Sequence, residues 1–142
     1  VEFEVCSEQT LNFPSAGCVN FEHPHVSVGL PVFAIHGNHD EPSREGGTEA
    51  LAALDVLSST RLLNYFGRQE KLNDIQVFPI LLRKGNTKVA IYGLGNMRDE
   101  RLNRAWGDKK VKFPRPKREE DGDERRKTKG KKKKKKKKGL DD

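Results

Sequence analysis

Residues 1–5 alternate apolar with acidic side chains, Val1, Phe3 and Val5 against Glu2 and Glu4. That period of two predicts a strand with one face buried and one in water. A second apolar run, Pro31-Val32-Phe33-Ala34-Ile35, is continuous rather than alternating. It predicts a strand covered on both faces that ends at Ile35. The stretch between them, 11–29, holds two prolines and two glycines and reads as a loop, closing with a short strand at 26–28. Downstream, Ala50, Leu51, Leu54 and Leu57 recur at helical spacing beside Val56. They predict an amphipathic helix over 49–58 that covers the sheet, with Thr48 as its N-cap and Glu49 in its first turn. Asp55 lies on the polar side of that helix and shows no sign of a catalytic role.

Residues 62–67 read as a short strand and turn, in which the adjacent aromatics Tyr65 and Phe66 fit core packing better than base stacking. The hairpin signal is clearest over 76–82 and 88–94. Their connection, Arg83-Lys84-Gly85-Asn86-Thr87, supplies glycine and asparagine for positive φ. Pro79 within the first of these strands predicts an edge or a bulge. Gly93 and Gly95 form only a partial glycine pattern, without the spacing of a phosphate loop. Residues 97–106 are charged and helical in character, and Glu100 can pair with Arg104 one turn on.

Charge divides the chain in two. The 142 residues carry a net +7, yet 1–106 hold 10 Lys/Arg against 13 Asp/Glu, a net −3, and 107–142 a net +10. Residues 131–138 are consecutive lysines, and the only aliphatic or Phe residues after 107 are Val111, Phe113 and Leu140. So few apolar groups cannot offset the entropy of ordering the segment. The expected organisation is one folded unit over 1–106 and a charged, Lys-rich disordered tail over 107–142. The lysine run can bind nucleic acid through counterion release, but with no aromatic side chain interleaved in it to stack bases, a plain disordered tail is the simpler reading. Cys6 and Cys18 lack the spacing of a zinc site and the number of a disulfide framework, which favours a reducing setting. No run approaches the roughly 18 apolar residues of a membrane span. The sequence opens inside an apolar alternation without Met, which suggests a fragment.

Chemistry concentrates just after Ile35, in His36-Gly37-Asn38-His39-Asp40. Gly37 lets the backbone turn, and the side chains that follow sit beyond the carboxyl end of a strand, where open α/β sheets carry their sites. An amide oxygen, an imidazole and a carboxylate side by side suit a divalent cation such as manganese, iron or zinc. Phosphodiester hydrolysis often uses two such ions. A polar turn whose Asn and Asp cap backbone groups is an equally good reading of the same residues. His23 and His25 read as a solvated loop pair rather than a metal site.

Gly37-Asn38-His39-Asp40 after an apolar strand resembles the second metal motif of the calcineurin-like metallophosphoesterases. The longer run from Pro31 to Pro42 narrows this. So do Ala50-Leu51-Ala52-Ala53-Leu54-Asp55-Val56-Leu57, Asn64-Tyr65-Phe66-Gly67, Tyr92-Gly93-Leu94-Gly95 and Asp99-Glu100-Arg101-Leu102. Together they resemble the eukaryotic Mre-eleven family, the meiotic-recombination nucleases of double-strand-break repair, over about residues 1–117. The resemblance implies an α/β fold, here a partial metallophosphoesterase αββα sandwich. It implies a Mn2+-dependent DNA endo/exonuclease with two ions in the intact site, nuclear, acting in homologous recombination and meiosis. Asn38 matches the family's metal-coordinating asparagine, His39 its catalytic histidine and Asp40 the carboxylate that orients His39; His36 is left structural. The implied partners are DNA, a coiled-coil SMC-like ATPase, nibrin and a second copy of the chain, with no membrane. Residues 12–21 fall where the family carries a nibrin-contacting insertion, in a shorter form.

The family's Asp-x-His motif and its metal-bridging aspartate have no match here, and no histidine follows His39. This chain alone is therefore expected to be inactive. Two other readings are a non-catalytic nucleic-acid-binding module acting through the Lys-rich tail, and another calcineurin-like phosphoesterase.

Overall fold

The computed structural model describes residues 1–42, 51–69, 71 and 73–116. The chain is mixed α/β, and its described strands form three small sheets. The largest is antiparallel, with β1 (Glu4–Val5), β5 (Pro79–Lys84) and β6 (Thr87–Tyr92) in the order β1-β5-β6. The hairpin runs in register from Pro79 opposite Tyr92 to Lys84 opposite Thr87, and Gly85 makes its turn with φ 56°. A side chain there would meet the usual steric penalty of a positive φ. Pro79 does not mark an edge or a bulge. It is the first residue of the central strand, where a missing N–H costs little. β6 is the edge, with Val89 49% exposed.

The expected strand at residues 1–5 shortens to Glu4–Val5, whose partners are Arg83 and Leu82. Exposure alternates along it as the pattern predicts, with Phe3 and Val5 half-buried and Glu4 exposed. Residues 26–28 form no strand.

A parallel pair joins β2 (Phe33–Ala34) to β3 (Asn64–Tyr65), with α1 (Ala53–Ser59) between them in the chain. β2 is not covered on both faces, since Val32 is 47% and Ile35 46% exposed. α1 begins later than its periodicity suggests. The Asp55 carboxylate accepts from the Ala52 N–H at 2.6 Å and so closes the helix start. The expected cap at Thr48 lies outside the described residues. Leu54 is half-buried while Val56 and Leu57 are exposed, so α1 covers the sheet only in part.

The second parallel pair is β4 (Ile75–Gln76) with β7 (Val111–Lys112), and α2 (Asp99–Gly107) precedes β7. Folded structure therefore runs past Trp106, the expected boundary, because backbone pairing recruits Val111 despite the charge around it. Residues 117–142 lie outside the described residues.

The core has two clusters. Phe13, Val19, Phe66 and Ile80 pack with Phe33, Phe21 and Val5 around them; Ile75, Val77 and Ala105 pack with Leu94, Met97 and Val111. The segment read as a plain loop is thus a core contributor. Phe13 and Val19 are buried, and Asn20 is locked to Asn64 by a backbone N–H···Oδ1 bond of 2.7 Å and a side-chain bond of 2.9 Å. Arg61 ties the same segment down by donating to the carbonyls of Cys18 and Ala16. Within 12–21 only Pro14, Ser15 and Gly17 remain exposed. Cys6 and Cys18 are unpaired, and among the described residues no helix is long and apolar enough to cross a membrane.

Candidate functional site

The loop leaving β2 has an inner and an outer side. On the inner side His36 is 6% exposed. Its Nε2 lies 3.2 Å from the carbonyl oxygen of Asn96 and its Nδ1 2.7 Å from the Tyr65 hydroxyl. A carbonyl only accepts, so in the neutral ring Nε2 carries the proton and Nδ1 accepts from Tyr65. Burial, the most important cause, together with the nearby charges of Asp55 and Asp40, pushes the Tyr65 hydroxyl up to about 12, against an opposing effect of Arg68. The phenol thus keeps the proton it donates.

Backbone bonds reinforce this knot: the Asn96 N–H donates to the His36 carbonyl at 2.9 Å and the Gly95 N–H to the Gly67 carbonyl at 2.8 Å. The loop after β6 can come this close because Gly93 and Gly95 carry no side chains. A Cβ on Gly95 would run into the His36 ring, and one on Gly93 into the Phe66 ring. The Gly-x-Gly pattern is a close-packing device.

On the outer side, Asn38, His39 and Asp40 are all exposed. Among the described residues no hydrogen bond links Asp40 to His39. A Cβ on Gly37 would lie 3.8 Å from the Asp40 Oδ2. The structure therefore brings these three side chains to one exposed turn beyond the β2 carboxyl end, with His36 buried behind them as a structural residue. The donors present do not fit a two-ion centre by themselves, since no group of three or more His, Cys, Asp or Glu gathers among the described residues. His23 and His25 form only a ring pair, centroids 5.7 Å apart, with the His25 N–H donating to His23 Nδ1 at 3.3 Å.

Sequence reading missed the supporting role of Tyr65, Gly95 and Asn96. The available signal was the repeated glycine after β6, which marks close backbone approach as well as it marks a phosphate loop.

No protein-family model matches the chain. Curated relatives do. The chain is similar to the double-strand break repair protein MRE11 of Arabidopsis thaliana, 51% identical over 126 residues, and to that of Oryza sativa subsp. indica at 49%. It is similar to the Homo sapiens protein of the same name at 46% over 123 residues. These matches take in 84–85% of the chain, which spans only 17% of each relative's length.

Proposed function

We propose, from the premise that the chain is homologous to a segment of MRE11 proteins, that it is one part of a metal-dependent DNA nuclease of double-strand-break repair. The observation that carries this reading is the exposed Gly37-Asn38-His39-Asp40 turn. It stands at the carboxyl end of a parallel strand and is held from behind by His36. In the intact protein, Asn38 would offer a neutral oxygen donor to a manganese centre, which would activate water for phosphodiester hydrolysis. His39 is the side chain able to give a proton to a leaving oxygen, and Asp40 is its orienting carboxylate. The remaining donors come from the rest of the αββα sandwich. Nuclear localisation, a coiled-coil SMC-like ATPase, nibrin and pairing with a second copy belong to the same reading. So do roles in homologous recombination and meiosis.

A chimera tests the assignment. In the Arabidopsis relative, the matching segment is replaced by residues 1–116 of this chain, and manganese-dependent cleavage of DNA is measured. The expected result is retained cleavage that His39→Ala removes. A folded chimera that cleaves equally well with and without His39 overturns it. The isolated chain is expected to show no cleavage, because no group of three or more His, Cys, Asp or Glu gathers among its described residues.

A further inference from the structure

On the surface built by the end of β6, α2 and β7, three aromatic rings stand together in the open. Trp106 is 59%, Phe113 45% and Tyr92 37% exposed. The Phe113 centroid lies 6.1 Å from that of Trp106 and 5.9 Å from that of Tyr92. The row is fixed by backbone as well as by packing. β7 pairs with β4, and the Tyr92 hydroxyl donates to the Pro114 carbonyl at 3.1 Å. Neither core cluster includes any of the three rings.

The chain around these rings is strongly basic. Arg104, Lys109, Lys110, Lys112 and Arg115 flank Trp106 and Phe113 in sequence. Lys110 and Lys112 are paired with Asp108 and Asp74, whereas among the described residues Arg104, Lys109 and Arg115 make no ion pair. Immediately beyond, residues 117–142 carry 14 Lys/Arg against 7 Asp/Glu. Exposed rings, tilted at 58–63° to one another, with exposed cations two or three residues away along the chain that make no ion pair among the described residues, have the chemistry of a surface that stacks bases while neutralising their phosphates. Charge selects the occupant, because an apolar protein segment would gain the rings but leave the cations unmatched, and a polyanion with aromatic groups satisfies both.

We propose that Trp106, Phe113 and Tyr92 form a stacking platform for single-stranded nucleic acid, with Arg104, Lys109 and Arg115 contacting its phosphates. Duplex bases hide their faces in the stack, so the platform discriminates against uninterrupted duplex. The proposal does not rest on the nuclease reading, since none of its residues belongs to the turn after β2.

The chain has a single tryptophan, so its emission reports the platform directly. The full chain is titrated with oligothymidylate, with an abasic phosphodeoxyribose oligomer of equal length and with a blunt duplex, at low salt and at a salt that screens the lysine run. Oligothymidylate is expected to quench Trp106 and, at the higher salt, to bind about tenfold or more tightly than the abasic oligomer. Phe113→Leu, which keeps an apolar side chain without the π face, is expected to lose about tenfold in affinity for oligothymidylate and nothing for the abasic oligomer. Equal binding of the base-bearing and abasic oligomers overturns the proposal and assigns binding to the lysine run. Concentration-dependent quenching without any oligomer, with dimers in sedimentation, also overturns it and makes the rings a face between copies of the chain.

Discussion

His36 and His39 stand three residues apart on one loop in opposite surroundings. His36 is buried, both ring nitrogens engaged, with the loop after β6 pressed against its ring. His39 is exposed at the tip of the turn. The difference separates rigidity from chemistry. The inner side of the loop carries the contacts that hold its backbone, so the outer side is free to present polar groups without packing demands on them. A loop built this way tolerates change at its exposed polar residues far better than at the residues behind them.

The inner side should break hardest where ring and glycine meet. Phe66 fills the space left by Gly93 and lies in the core with Phe13 and Ile80. Phe66→Ala is expected to cost about 3–5 kcal/mol in denaturant unfolding; a loss below about 1 kcal/mol would mean that the core does not depend on this ring. Gly95→Ala places a methyl group in the His36 ring and is expected to cost about 1–3 kcal/mol. Unchanged stability would show that the loop after β6 does not press on His36.

Tyr65→Phe keeps the ring and removes only the hydroxyl that His36 accepts from, for an expected loss of about 1–2 kcal/mol. The same variant tests the alkaline behaviour. The native phenol holds its proton to about 12, while the unfolded chain gives it up near the ordinary value of 10. Stability from this group is therefore fully present below pH 10 and falls as pH rises from about 10 to about 12. The spectrophotometric titration should show a tyrosinate step near 12 that Tyr65→Phe removes; persistence of that step would assign it elsewhere.

On the outer side, His39→Ala is expected to change stability by no more than about 0.5 kcal/mol. A loss comparable to that of Tyr65→Phe would erase the contrast between the two sides.

Much of this was legible in the residues. The hairpin of β5 and β6 follows from two apolar runs joined by a Gly-Asn turn, and α2 from the charged, helical character of residues 97–106. The Asn-His-Asp turn was readable because polar residues after an apolar strand have few places to go but the strand's carboxyl end. Two misreadings share one cause. Residues 11–29 have loop composition, yet Phe13 and Val19 reach the core because Asn20, Asn64 and Arg61 anchor the backbone between them. Val111 looks like part of a charged tail, yet it pairs with Ile75, 36 positions earlier. Neither contact leaves a local period to read.

By itself, then, the sequence determined the local turns, the strands of the hairpin and the place of the polar Asn38-His39-Asp40 turn after an apolar strand, because steric preference and hydrophobic period act over a few residues. Tertiary structure alone decided that Tyr65 and Asn96 clasp His36, that two glycines make room for rings from other strands, and that Tyr92, Trp106 and Phe113 meet on one surface. Those facts depend on groups brought together from 7 to 60 positions apart, and chain distance carries no record of which partners the fold selects.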